Sequence, residues 1–308
     1  MELEQLFIHT VNGKRPENKE FTCVVMFSGG KDSTYLADIM KKYTDGKVCL
    51  INVDNGYENS SYTRRIAEKL KLPLFTYQPA KEEMNLFYHY LLSTPELKQI
   101  DNNPLCFICN RYFTSIGIEF ASKYKIPFVV NALTAAQIFG SKVQVTNKMI
   151  NVSNWVMKDK LNRSYEIVKN TKGYNENEKL KCFLDKVFYE DQNVDILYPF
   201  LFFEYDIMKI IDALEKKYDW VNPVEGVSNK GYVTSGCTLT RLFGLCEKKL
   251  GFRIHEFAEL NIELENGSLS SEKFASGVRL VNENLSDEIT DEKRNIINEL
   301  GLQEIFLA

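Results

Sequence analysis

The sequence predicts an α/β fold: a doubly wound, mainly parallel sheet with helices on both faces. Two observations carry that expectation. From Thr22 to Tyr77, short apolar runs rich in strand formers alternate with helical patterns in the order β-α-β-α-β, the arrangement that builds a parallel sheet. The first run, Thr22-Cys23-Val24-Val25-Met26-Phe27, also breaks straight into Ser28-Gly29-Gly30-Lys31-Asp32-Ser33 before a helical pattern begins, with Tyr35, Leu36, Ile39 and Met40 at helical spacing. The turn's backbone N–H groups then stand at a helix start and point outward, which makes an anion site. Two adjacent glycines let the backbone wrap a phosphate closely, Lys31 adds a positive charge, and Ser28 and Ser33 offer hydroxyls.

The spacing is not that of a Walker loop, which puts four residues between its first glycine and its Gly-Lys pair. Ser28-Gly29-Gly30-Lys31-Asp32-Ser33 after a first strand resembles instead the PP-loop of the N-type ATP pyrophosphatases, whose fold is the adenine nucleotide α-hydrolase-like one. The resemblance implies that ATP, with Mg²⁺, is split between its α and β phosphates, an oxygen of the substrate is adenylated, pyrophosphate leaves, and a nucleophile displaces AMP. It implies ATP contacts from all six residues, Ser28 to Ser33, with Lys31 and Asp32 catalytic. Without it, the stretch reads as a Gly-Gly turn beside a solvated Lys-Asp pair.

Residues 1 to 20 hold a short mixed segment and a polar loop. After the first helix, Lys47 to Val53 reads as a second buried strand ending at Asp54-Asn55-Gly56. The end of a second strand is where such a sheet holds the nucleoside of its ligand, and the resemblance places Val53, Asp54, Asn55 and Gly56 near adenine and ribose; a simple Asn-Gly turn is the other reading. A helix with Tyr62, Ile66 and Leu70 on one face leads to a third strand, Leu72 to Tyr77, and a third helix covers roughly residues 82 to 95. His9, His89 and His255 share no metal-ligand spacing.

Next comes Asn102-Asn103-Pro104-Leu105-Cys106-Phe107-Ile108-Cys109-Asn110-Arg111, followed by an amphipathic helix with Phe113, Ile116, Gly117, Phe120, Ala121 and Tyr124 at its core positions. The Cys-x-x-Cys pair is expected on a loop at a helix start, where exposed N–H groups and the dipole stabilise thiolates. Alone the pair is ambiguous between a dithiol, half a zinc site, two cluster ligands and an accident. A fourth strand, Pro127 to Asn131, ends at Ala132 to Gln137. Thiolases and lysidine synthetases of the resembled family often carry a His- and Asp-containing motif here; this chain does not, and Thr134 and Gln137 are the polar residues available instead. Residues 141–195 read as a polar, helical insertion. An apolar strand from Asp195 to Phe203 and a helix from Tyr205 to Tyr218 follow, and then Thr234-Ser235-Gly236-Cys237 as a loop before another helix.

The chain has seven cysteines, and a cytosolic-looking chain of this kind argues against a disulfide framework. Cys23 and Cys49 lie in strand runs and Cys246 on an apolar helix face, so packing explains them; Cys182 is open. Cys106, Cys109 and Cys237 are left. A Cys-x-x-Cys after the third strand with one distant cysteine resembles the cluster-dependent tRNA 2-thiolation enzymes, which hold a 4Fe-4S cluster by three thiolates with one iron open to carry sulfur. Zinc is the alternative metal. Arg111, two residues past the second cysteine of the pair, is expected as a catalytic contact for the adenylated oxygen.

The expectation is therefore an ATP-dependent sulfur transferase (thiolase) acting on a carbonyl of a small molecule such as a nucleobase or nucleotide, with sulfide or a cysteine desulfurase as sulfur donor. The ammonia-using amidotransferases or ligases of the same superfamily, and a tRNA thiolation enzyme, are the alternatives. At 44% hydrophobic and 26% charged residues, composition is that of a globular protein with no membrane span. The acidic start Met1-Glu2-Leu3-Glu4-Gln5 lacks the pattern of a signal peptide, so a cytoplasmic protein is expected. A net charge of -4 argues against stable tRNA binding. Residues 1–250 are expected as the PP-loop domain and 251–308 as a helical extension packed on it or on a second subunit, as in a homodimer.

Overall fold

A computed structural model describes residues 3–13, 20–58, 60–100, 103–139, 147–223, 236–254, 260–261, 264–265, 267 and 269–308. Five strands, β1 (Cys23–Met26), β2 (Val48–Val53), β3 (Leu74–Tyr77), β4 (Phe128–Val130) and β5 (Asp195–Leu197), form one sheet in the order β3-β2-β1-β4-β5. Every pairing is parallel, with Cys23 opposite both Val48 and Phe128. This is the doubly wound α/β fold expected from the alternation.

The apolar runs are continuous because the central strands are buried on both faces. Successive residues serve different cores: Cys23, Val25, Val48, Leu50, Phe128 and Val130 face one, while Val24, Cys49, Ile51 and Val129 face the other. On the first face lie the helices Lys31–Tyr43, Ser60–Leu70 and Ile207–Tyr218. The long helix Pro104–Lys123 covers the other face. It comes close because Gly117 has no side chain: a Cβ there would stand 2.4 Å from Met26 Sδ.

A further core joins the helices Lys81–Ser93, Pro104–Lys123, Glu178–Val187 and Phe243–Leu250. The tail packs on this same body. Val281, from the helix Ser271–Leu285, enters the first core, and Ile297, Leu300, Leu302 and Phe306, around the helices Asp291–Glu299 and Gln303–Phe306, enter the further one. His89 Nδ1 meets the Leu300 carbonyl at 2.8 Å and ties the tail to the helix Lys81–Ser93.

Several expectations change. The amino-terminal segment is a helix, Leu3–Gly13, whose Phe7 packs on Phe202 and Phe203. The fifth strand stops at Leu197, and Pro199–Leu201 is a 3-10 turn, since proline ends the ladder. Residues 14–18 of the expected polar loop, 102 of the Cys-x-x-Cys stretch, 141–146 of the insertion, and 234 and 235 of the Cys237 loop lie outside the described residues. No helix among the described residues is long and apolar enough to cross a membrane.

Candidate functional site

A cavity of about 360 Å³ opens at the carboxyl ends of β1, β2 and β4. In this strand order the winding reverses between β1 and β4, and the crevice there is where doubly wound sheets bind ligands. Ser28, Gly30, Lys31, Asp32 and Ser33 form one side, Val53, Asn55 and Glu58 another, and Cys106, Cys109 and Cys237 a third.

The loop side is built from its own atoms. Gly29 has φ +79°, and a Cβ on it would meet Thr63 Cα and Tyr62 Cε1, each at 3.1 Å. Its carbonyl takes hydrogen bonds from Trp220 Nε1 at 3.1 Å and Thr34 Oγ1 at 3.0 Å. Thr63 Oγ1 donates to the Ser28 carbonyl at 2.8 Å, and the Ser28 and Ser33 hydroxyls lie 3.2 Å apart. Gly30 is the helix N-cap and supplies no side-chain cap, so the first turn of Lys31–Tyr43 meets the cavity with its donors outward. Lys31 Nζ pairs with Asp32 Oδ2 at 2.7 Å, and Tyr205 Oη donates to Asp32 Oδ1 at 3.0 Å. Lys31 is thus held at the mouth of an amide-lined turn that can take phosphate oxygens.

Of the four residues at the end of β2, Val53 and Asn55 reach the cavity wall; Asp54 and Gly56 do not line it. Asp54 Oδ1 accepts from Gly56 N at 3.1 Å, the hydrogen bond of an Asx turn. Asn55 is buried: its Oδ1 accepts from Tyr57 N and its Nδ2 donates to Tyr88 Oη, both at 2.9 Å. Tyr88 Oη in turn lies 3.3 Å from Cys109 Sγ. The strand end therefore supports the Cys109 thiol as well as its own side of the cavity.

The Cys-x-x-Cys pair is not on a loop. Asn103 caps the helix Pro104–Lys123 by accepting from Cys106 N, which puts Cys106 in its first turn and Cys109 in its second. Residues three apart on a helix share a face, so both reach the cavity. The dipole effect fades within the first turn, and for Cys109 burial wins: its thiol is pushed up to about 12, first by burial, with the Tyr88 hydrogen bond pulling it down and the Glu58 charge pushing it up. Cys237, reached from Gly236 just before the 3-10 turn Thr238–Leu242, is likewise raised by burial and then by the charges of Glu58 and Cys109. Thr238 N donates to the Tyr57 carbonyl at 3.0 Å and fixes this segment against the β2 end.

Among the described residues no three His, Cys, Asp or Glu side chains converge to hold a single metal ion. Cys106 Sγ instead receives a 3.5 Å hydrogen bond from Asn103 Nδ2. The sulfur atoms on the wall are those of the thiols of Cys106, Cys109 and Cys237 and the thioether of Met26, and no histidine lines it. Cys23, Cys49 and Cys246 are buried in the cores, and Cys182 is exposed on the helix Glu178–Val187.

Arg111 is not at the cavity. Two positions beyond Cys109 on a helix is a rotation of about 200°, and Arg111 is buried with Nη2 donating to the Tyr189 carbonyl and Nε and Nη1 unpartnered among the described residues. The expected contact with an adenylated oxygen fails on this geometry. Thr134 and Gln137 cap one another, Gln137 Oε1 accepting from Thr134 N at 3.0 Å and Thr134 Oγ1 from Gln137 N at 3.3 Å.

Sequence reading missed Glu58, Tyr88, Asn110 and Asn131, all on the wall. Glu58 is held up at about 7 by burial and then by the negative charge of Asp54. Asn131 had a usable signal, since it is the first residue past β4, beside the point where the winding reverses.

No protein-family model and no curated protein matches this chain. Among solved structures it is similar to the NH3-dependent NAD synthetase from Campylobacter jejuni subsp. jejuni NCTC 11168 in complex with the nitrate ion, at 14% identity and a TM-score of 0.32 over 61% of this chain and 94% of that one. A score this low supports nothing about activity, so the chemistry of the site rests on the chain's own residues.

Proposed function

We propose that this chain is an enzyme of the N-type ATP pyrophosphatase superfamily and an ATP-dependent sulfur transferase. The observation that carries the reading is that the Ser28–Ser33 loop and the thiols of Cys106, Cys109 and Cys237 line one cavity. A phosphate cradle and a soft-ligand set have no structural need of one another, and a reaction that joins adenylation to sulfur delivery uses both.

In this reading the loop amides and Lys31 hold the ATP phosphates, and Lys31 stabilises charge on the departing pyrophosphate. Asp32, steadied by Tyr205, is the wall carboxylate suited to share Mg²⁺ with those phosphates. The acceptor's carbonyl oxygen attacks the α-phosphorus as the bond to the bridging oxygen of pyrophosphate breaks. A sulfide-level sulfur then adds at the activated carbon, and AMP leaves with the original oxygen. Cys106, Cys109 and Cys237 would be the thiolate ligands of a 4Fe-4S cluster, which would supply sulfur-transfer chemistry there. Zinc fits less well, because a closed structural zinc site takes four protein ligands. The acceptor is a small carbonyl-bearing molecule of nucleobase or nucleotide type, with sulfide or a cysteine desulfurase as donor.

Anaerobically purified protein tests this through its absorption spectrum, its iron and labile-sulfide content, and the products of ATP turnover. AMP and pyrophosphate with about four irons per chain are expected, and Ala at any of the three cysteines abolishes thiolation while ATP binding persists. ADP and phosphate as products would falsify the superfamily reading. Stoichiometric zinc without iron, or incorporation of ammonia in place of sulfur, would favour the amidotransferase or ligase alternative.

A further inference from the structure

We propose that Asn110 reads the acceptor, donating from its side-chain NH2 to a carbonyl oxygen and so selecting oxo over amino heterocycles; this deepens the sulfur-transfer reading and rests on it for the identity of the cavity.

The inference comes from the directions of four hydrogen bonds. Leu133 N donates to Asn131 Oδ1 at 3.1 Å. A backbone N–H can only donate, so it fixes which end of the Asn131 amide is oxygen. The Asn131 NH2 then faces the helix Pro104–Lys123 and spends its two hydrogens on Thr114 Oγ1 at 2.9 Å and Asn110 Oδ1 at 3.1 Å. Thr114 cannot reverse this, because its own hydroxyl hydrogen goes to the Asn110 carbonyl at 2.8 Å. An NH2 can only donate, so Asn110 must offer it Oδ1, and the Asn110 NH2 is left over. No group among the described residues accepts from that NH2, and Asn110 lines the cavity beside Cys109.

The relay is well anchored. Asn131 and Thr114 are both buried, and Asn131 follows directly on β4. A flip of the Asn110 amide would set two NH2 groups against each other. The cavity thus presents a donor of fixed direction. Away from Lys31, Asp32 and Glu58, its polar wall among the described residues is amides, hydroxyls, thiols and the Trp220 indole, which is spent on the Gly29 carbonyl, with no further charge. Such a wall suits a neutral ring whose exocyclic group is an acceptor, and it leaves an amino group facing a donor. A site built around a hydrogen bond rejects a ligand that cannot complete it.

The test is calorimetric titration of the full chain, saturated with α,β-methylene-ATP and Mg²⁺, with two matched pairs, uridine against cytidine and inosine against adenosine. No turnover is needed, so a failure of sulfur transfer and a failure of this inference are read separately. The wild type is expected to bind the oxo member of at least one pair about tenfold or more tightly than the amino member. Asn110→Ala should reduce that preference to within about twofold. Asn131→Asp turns an acceptor toward Asn110, whose amide must then donate inward and show its oxygen to the cavity, so the preference should move toward the amino member. A merely structural role for Asn131 would weaken both members alike. If Asn131→Asp does not fold, Asn110→Ala decides. Equal binding within both pairs, tighter binding of the amino members, no binding of any of the four, or an unchanged preference in Asn110→Ala overturns the proposal.

Discussion

Tyr88 Oη lies 3.3 Å from Cys109 Sγ while accepting a 2.9 Å hydrogen bond from Asn55 Nδ2. With its lone pair engaged by Asn55, the phenol is free to donate its own hydrogen to sulfur. Tyr88→Phe removes that donor and leaves the buried Asn55 amide short of a partner. The variant should lose about 1–2 kcal/mol of stability in urea unfolding. It should also slow alkylation of Cys109 at a given pH, followed by mass spectrometry, because the Cys109 thiolate loses the hydrogen bond from Tyr88 that stabilises it. Faster alkylation with unchanged stability would show that Tyr88 only covers the thiol.

Lys31 is the positive charge on the turn that is expected to carry the phosphates. Removing one preorganised charge contact commonly costs about 3 kcal/mol in the transition state. Lys31→Ala should therefore lower kcat/KM for pyrophosphate release by about a hundredfold or more, with the melting temperature little changed. Activity within a few-fold of the wild type would remove Lys31 from the chemistry.

Gly29 is strained for any other residue. At φ +79° an L side chain costs about 1–2 kcal/mol, and the 3.1 Å approach of Thr63 Cα is to backbone, which cannot swing aside. Gly29→Ala should lower stability by about that amount and weaken ATP binding, measured by unfolding with and without nucleotide. Equal ligand-induced stabilisation in both proteins would show that the loop tolerates the change.

Glu58 sets a pH dependence with a definite sign. Its folded carboxyl titrates at about 7, whereas an unfolded glutamate titrates near about 4.3. Between those values the folded chain holds a proton that the unfolded chain has lost, so stability is present in full below the lower value and falls as pH rises through the higher one. In metal-free protein, Glu58→Gln should match the wild type near pH 4. At pH 8 it should be the more stable, by on the order of 3 kcal/mol. Parallel stability curves for the two proteins from pH 4 to 8 would show that the carboxyl is solvated.

What the sequence determined by itself was local. The run Thr22–Phe27, the two glycines and the helical spacing after Ser33 specify strand, turn and helix within about twenty residues, because side-chain period and backbone freedom act between near neighbours. The parallel sheet followed from repetition of that unit, and Cys23, Cys49 and Cys246 could be assigned to packing from their apolar neighbours. Only the tertiary structure decided what lies across the cavity. The spacing of Cys106 and Cys109 is the same on a loop as on a helix, and the cap by Asn103 together with the close approach at Gly117 turned both toward the Ser28–Ser33 loop and Arg111 away from it. Asn55, Tyr88 and Cys109, and likewise Asn131 and Asn110, are joined by hydrogen bonds between residues more than twenty positions apart. Such a bond is directional and spans about 3 Å, so it exists only once the sheet has set β2 and β4 on either side of β1.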